Sequence, residues 1–313
     1  MRNFAIICDA TCDLGEELRK EYDIRVIAGH VKLPDGSEKK TMPGWNDFTK
    51  EEFYAELKAA PNSFTTSPAN VAEFSEAFEA IVKEGLDVLC MTISSGISGA
   101  FSFASEAAKL IANKYPEAKI VCVDSLRFGP GFGLMAIRAS SLRAEGKSLS
   151  EAAAWLEENK NRYHQAGWLD DLSFVAKKGR LTHAKAFFGT LAGVKPIGEF
   201  DYNGLTTVIG KVKGAKAAYA TLLDYIEKTA EDLKDQTVFI AQTNRQKEAE
   251  EYKRLIEEMF HPKAVIIKDV YPLCAINIGP GLMAAYYAGK PISKDLGVER
   301  KILEDFISGG KKA

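Results

Sequence analysis

The chain has 313 residues, 46% hydrophobic and 27% charged, with a formal net charge of −2 at pH 7. That length predicts two domains, and the composition is that of an ordinary globular protein. Charge this close to zero gives no global attraction to nucleic acid or to an anionic membrane surface.

The basic clusters "AKKGR" (176–180) and "GGKKA" (309–313) read as solvated surface. No apolar run is long enough to cross a bilayer, so any membrane contact is expected to be peripheral. The opening "MRNFAIICDATCD" lacks the long apolar stretch of a signal peptide. Five cysteines include no CxxC pair, and Cys8, Cys90 and Cys122 sit in apolar runs that read as buried strands. Free buried thiols fit a reducing compartment, so a cytoplasmic location is expected.

In chain order, "FAIICDA" (4–10) reads as a strand, "LGEELRKEYD" as a short amphipathic helix and "IRVIAGHVKL" (24–33) as a strand. "TKEEFYAELKAA" (49–60) predicts a helix capped by Thr49, with acidic residues in its first turn. "NVAEFSEAFEAIVKEG" (70–85) has helical spacing and ends at Gly85. "LDVLCMTI" is a buried strand, "GAFSFASEAAKLIANKY" a helix and "AKIVCVDS" (118–125) another strand. Two helices follow, "GFGLMAIRASSLRAEGK" and "SLSEAAAWLEENKNRY". This alternation predicts a parallel or mostly parallel sheet with helices on both faces.

The second half leans towards strand in "AGWLDDLSFVAKKGRLT" and "AFFGTLAGVKPIGEFDYNGLTTVIGKVKG", with "DYNGL" as a turn between two extended runs. Helices are expected at "GAKAAYATLLDYIEKTAEDL" and "NRQKEAEEYKRLIEEMF", alternating with strands "QTVFIAQT" and "AVIIKDVYPL". "INIGPGLMAAYYAG" (276–289) reads as a Gly-rich loop entering an apolar helix. The whole predicts an α/β domain over 1–160 and an α+β domain over 161–313.

Polar residues gather where the apolar strands end. In "TISSGISGAFSFA" (92–104), Ser98 stands just before a predicted helix, whose start offers unpaired N–H groups and partial positive charge. Two readings stand open, an anion seat and a Ser-capped turn with no ligand. A nucleophilic serine needs G-x-S-x-G, and the second glycine is misplaced here. No histidine among His30, His164, His183 and His261 sits at an obvious strand end. In "SFTTSPAN" (63–70), Thr66 or Ser67 reads either as a cap for a helix starting near Pro68 or as a hydroxyl donor to the same anion. In "CDATCD" (8–13), Asp13 reads as a helix cap or Asp9 and Asp13 as structural hydrogen-bonding groups; "VDS" (123–125) is equally ambiguous. Arg180 in "KKGRLT" is suited to a carboxylate or phosphate, or is plain surface. No His, Cys or Asp cluster has metal-ligand spacing.

The ordered set "CDATCDL", "TTSPANVAEF", "ISSGISGAF", "VDS", "KKGRL", "VKPIGEFDYNGL" and "NIGPG" resembles the DegV family of bacterial fatty-acid-binding proteins over nearly the whole chain. The resemblance implies two domains with a lipid site between them, and one enclosed long-chain fatty acid. It places the carboxylate on Thr66 and Ser98, with Ser67 and the N–H groups of Gly99 and Ala100 nearby. The family arginine corresponds to Arg180, and Asn277 stands where a histidine commonly precedes Gly-Pro-Gly. Two further departures are Ala10 for a serine and Ala100 for a threonine. In several members a partner kinase phosphorylates the bound acid; a non-titrating Asn277 weakens that expectation here. The resemblance implies neither catalysis nor a cofactor other than the bound fatty acid. An enzyme acting on a phosphorylated or carboxylated metabolite through the same loops is the alternative. Phe187, Phe188 and Leu191 are candidates to line the tail, on a run that reads more readily as ordinary core.

Overall fold

The computed structural model describes residues 3–180 and 193–309. The chain divides into two compact units: Met1–Lys160 with Tyr271–Ile276, and Asn161–Val270 with Asn277–Ala313.

The first unit is built on strands β1 (Phe4–Asp9), β2 (Ile24–Ile27), β6 (Asp87–Thr92) and β7 (Ile120–Asp124), in the order β2-β1-β6-β7 and all parallel. β1 and β6 are central and wholly buried. Their near-continuous apolar sequence follows, since both faces of a parallel sheet are covered by helices. Helices α3 (Val71–Lys83) and α4 (Ala100–Lys114) lie on one face, where Phe74, Phe78, Ala104, Ala107 and Ile111 pack with Ala5, Ile7, Val88 and Cys90. Helices α5 (Gly129–Ala144) and α6 (Leu149–Asn159) pack on the same sheet. Short helices α1 (Glu16–Glu21) and α2 (Lys50–Ala59) complete the unit, α2 capped by Thr49 as its sequence predicts.

The expected single strand over 24–33 is two strands in two sheets. The chain leaves the parallel sheet after Ile27, and β3 (Gly29–Lys32) joins β4 (Glu38–Thr41) and β5 (Thr65–Ser67) in a three-stranded antiparallel sheet of order β4-β3-β5. Gly29, where the second strand begins, is packed closely enough that a Cβ would stand 2.9 Å from Leu273 Cδ1.

In the second unit, β8 (Tyr163–Leu169), β9 (Val194–Phe200), β10 (Thr206–Lys213), β11 (Thr237–Gln242), β12 (Ala264–Asp269) and β13 (Leu282–Ala288) form one sheet of order β10-β9-β8-β13-β11-β12. Only the β11–β12 pair is parallel. Helices α7 (Ser173–Lys177), α8 (Ala215–Thr229), α9 (Gln246–Phe260) and α11 (Gly297–Gly309) belong to this unit. Asp201–Leu205 form the predicted turn, with Gly204 at φ +79°. The apolar helix expected after Gly281 is instead β13, paired on both sides by β8 and β11. Seven consecutive apolar residues at a sheet centre carry no periodicity that separates strand from helix. Helix α10 (Pro272–Ile278) precedes it, where the sequence reads as strand and loop.

Candidate functional site

In the parallel sheet, α3 feeds β6 through a short turn and α4 feeds β7, so both helices run back along the strands. Their N-termini therefore lie at the sheet's carboxyl edge, the edge where open α/β folds bind ligands. Ser67 lies three residues before Asn70, the N-cap of α3, and Ser98 lies two residues before α4. The starts of α3 and α4, which pack on each other, therefore share that edge; Ser98 precedes α4 directly, and Thr66 lies on β5, four residues before the α3 N-cap.

The loop from Ile93 to Gly99 is fixed amide by amide. Ile93 N–H donates to Asp9 Oδ2 at 2.7 Å and Ser95 N–H to Asp124 Oδ1 at 3.1 Å. Ser94 N–H reaches the Arg127 carbonyl at 2.9 Å. Gly96 N–H donates to Ser94 Oγ at 3.1 Å, and the Ile97 and Ser98 amides both donate to the Ser94 carbonyl at 3.2 Å. Six consecutive amides are thereby satisfied within the protein.

The pattern changes at the helix. Gly99 is the N-cap and supplies no side chain. The Gly99, Phe101 and Ser102 amides meet no acceptor among the described residues. Ala100 N–H donates to Ser98 Oγ at 3.3 Å, which leaves the serine's own proton to donate. Ser98 is half-buried and Gly99 exposed. Several donors with partial positive charge therefore face outward from one short segment.

Asp9 and Asp124 flank this loop from β1 and β7. Asp9 is 4% exposed, and its Oδ1 also accepts Thr11 N–H at 2.9 Å and the Thr11 hydroxyl. Burial pushes its carboxyl above the usual aspartate range, against the opposing hydrogen bonds from Thr11 and Ile93. Asp124 Oδ1 accepts Leu126 N–H at 3.1 Å as well, holding Leu126 at φ +50°. Thr92 ends β6 between them; its hydroxyl is buried with no partner among the described residues. The sequence leaves Asp9 and Asp124 ambiguous and gives Thr92 no role beyond marking a polar strand exit, which all three share.

Two cap assignments are corrected. Asn70, not Thr66 or Ser67, caps α3, through a capping box with Glu73. Asp13 does not cap α1, whose N-cap is Gly15; its Oδ1 accepts Tyr271 N–H at 3.3 Å, while its backbone is left-handed at φ 52°. Thr66 is half-buried on the edge strand β5 opposite Val31, and Ser67 is exposed opposite His30.

Arg180 and Asn277 belong to the second unit. Arg180 follows Gly179 (φ +73°) and donates to the Lys178 carbonyl. The Lys178 ammonium titrates below the usual lysine range, through burial first and then the nearby Arg180 charge. Asn277 is half-buried in the last turn of α10. Gly279 follows at φ +77°, where a Cβ would stand 2.4 Å from the Phe174 ring.

Phe187, Phe188, Leu191 and His183 lie outside the described residues. No described histidine hydrogen-bonds Ser98: His30 is held by Glu38 and Glu73, and His164 by Glu199 and the Lys290 carbonyl. All five cysteines are free, and only Cys122 is less than fully buried. No group of His, Cys, Asp and Glu among the described residues could hold a metal. No described helix is long and apolar enough to cross a membrane. A cleft of about 240 Å³ lined by Phe4, Arg25, Ser140 and Arg143 lies at the opposite, amino edge of the sheet.

Comparison with known proteins gives consistent relatives. A family model described as "Uncharacterised protein, DegV family" matches residues 3–290. A DegV domain-containing protein of Clostridium perfringens is 30% identical over 289 residues, 92% of this chain and 98% of the relative. Among solved structures, a DegV family protein from Thermus thermophilus, described by its fatty acid binding, is 25% identical with a TM-score of 0.81, over 92% of this chain and all of that one. DegV of Bacillus subtilis, a fatty acid binding protein, is 26% identical with a TM-score of 0.77, over 93% and 100%.

Proposed function

The chain belongs to the DegV family, and on that premise we propose that it binds a long-chain fatty acid by its carboxylate at the start of α4. The observation that carries the reading is the switch in amide bonding along residues 93–102. The amides of Ile93 to Ser98 are each satisfied inside the protein, and those of Gly99, Phe101 and Ser102 meet no acceptor among the described residues. A carboxylate accepts several donors at once and is favoured at a helix N-terminus. Ser98 donates its hydroxyl, oriented by Ala100 N–H. Thr66 and Ser67 carry further hydroxyls on β5, the strand just ahead of α3. The Thermus thermophilus and Bacillus subtilis relatives, described as binding fatty acid, support the ligand class.

Affinity and orientation come from different parts of such a ligand. Burying about fourteen methylenes at ~0.8 kcal/mol each gives roughly 11 kcal/mol relative to water, before the costs of association. Each charge-assisted hydrogen bond adds about 1.5–3 kcal/mol. The protein acts in this reading as a cytoplasmic carrier without catalysis of its own, presenting the acid to a partner such as a kinase. Native mass spectrometry of the purified protein tests it: a co-purifying fatty acid is expected. A clean unliganded mass together with no uptake of added oleate or palmitate overturns the reading.

A further inference from the structure

We propose that Asp9 and Asp124 are the positioning residues of the head-group loop, acting as paired carboxylate clamps that fix residues 93–98 before any ligand arrives. The proposal rests on the fatty-acid reading for the loop's purpose, and on the hydrogen bonds alone for the clamp.

Asp9 comes from the end of β1 and Asp124 from the end of β7, with β6 between them. The loop leaves β6 at Thr92, so it emerges between two carboxylates. Asp9 takes the amide of the first loop residue and Asp124 that of the third. The Ser94 carbonyl, held between those two anchors, turns back to accept Ile97 and Ser98. The clamps thus set the turn that delivers Ser98 to α4. Both carboxylates are nearly inaccessible, at 4% and 8% exposure, so they serve the loop more than solvent or ligand.

The two clamps differ in how many oxygens they use. Asp124 does all its work through Oδ1, which receives both Ser95 and Leu126. Asp9 uses both oxygens, Oδ1 for Thr11 and Oδ2 for Ile93. An asparagine has one acceptor oxygen and one NH₂ donor. Asp124→Asn therefore keeps every bond. Asp9→Asn has one acceptor oxygen for two sites; Thr11 brings two donors to it, so the NH₂ is left facing Ile93 N–H, a donor against a donor. A merely electrostatic role would make the two substitutions alike, since each removes one negative charge.

The test compares the full-length wild type, Asp9→Asn, Asp124→Asn and Asp124→Ala. Amide hydrogen exchange at Ile93 and Ser95 is read by NMR in the delipidated protein, and oleate affinity is read separately. With Asp124→Asn, both exchange and affinity are expected to stay within about twofold of wild type. With Asp9→Asn at Ile93, and with Asp124→Ala at Ser95, loss of one buried bond predicts roughly tenfold faster exchange and roughly tenfold weaker oleate binding. The return of both readouts from Asp124→Ala to Asp124→Asn is the rescue that general destabilisation would not produce. Equal effects of the two Asn substitutions, or an Asp124→Ala protein with wild-type Ser95 exchange, overturn the proposal. Should Asp9→Asn not fold, the Asp124 pair decides it. A wild type that takes up no oleate yet shows the exchange pattern would remove the fatty-acid reading and leave the clamp standing.

Discussion

Replacing Ser98 by alanine tests the proposed head-group seat. In the ligand-free fold Ser98 Oγ receives one hydrogen bond, from Ala100 N–H at 3.3 Å, near the long limit of the interaction. Its loss should cost the fold less than about 1 kcal/mol. The backbone of the loop is held by Asp9, Asp124, Arg127 and Ser94, through bonds that do not involve the Ser98 side chain. The substitution should therefore leave the seat standing and remove one charge-assisted donor. That bond is worth about 1.5–3 kcal/mol, which corresponds to an affinity loss of about 10- to 150-fold. Titration calorimetry with oleate, beside urea unfolding of the same preparations, reads both quantities. A Ser98→Ala protein with wild-type affinity would show that the carboxylate does not sit at the start of α4.

Two other predictions rest on particular side chains. Glu73, in the capping box of α3, is bonded by Lys40, Asn70 N–H and His30; burial acts to raise its carboxyl, and these partners outweigh it and hold it at about 2, against 4.5 for a free glutamate. Full conversion of that shift gives roughly 3 kcal/mol, and because Lys40 is largely exposed a screened value of about 1–2 kcal/mol is expected. This stability is present above the unfolded value and lost as pH falls from about 4.5 through about 2, so wild type and Glu73→Gln should differ at pH 7, the gap should shrink steadily below about pH 4.5, and they should converge only below about pH 2. A gap that persists unchanged in acid would contradict it. Thr92→Val removes a buried, unpartnered hydroxyl at nearly constant volume and should raise unfolding free energy by about 1 kcal/mol; a destabilised variant would mean that the hydroxyl has work in the folded chain.

What the sequence discloses is mostly local. The parallel sheet is legible because β1, β6 and β7 are apolar runs separated by amphipathic helices with recognisable ends, such as Thr49 before α2 and Gly85 after α3. Ser98 ahead of a helix is legible for the same reason. The misread segments depend on distant partners. β13 is indistinguishable from a buried helix until β8 and β11 are known to flank it. The split between β2 and β3 follows their pairing with different sheets, and the bond from Tyr271 to Asp13 spans 258 residues. The clamps are hidden likewise, since Asp9 meets Ile93 across 84 positions and Asp124 meets Ser95 across 29. A polar residue ending a buried strand was the visible sign, and its partner was not.

The division between head and tail decides how such a carrier behaves beside a membrane. Taken from water, the ligand gains roughly 11 kcal/mol from its tail, and the loss of one head-group bond is a modest fraction of that. Taken from a bilayer, the tail moves from one dry environment to another and its term nearly cancels. In the proposed seat, occupancy would then be set by the few kcal/mol at Ser98 and the amides of Gly99, Phe101 and Ser102. The same Ser98→Ala substitution should therefore leave the protein able to load from membrane-free buffer at micromolar ligand, yet empty it when phosphatidylcholine vesicles compete. Co-sedimentation with vesicles carrying radiolabelled oleate, scored for label retained by the protein, measures this directly. Equal retention by wild type and Ser98→Ala across a range of vesicle concentrations would mean that the tail, not the carboxylate seat, governs exchange with the bilayer.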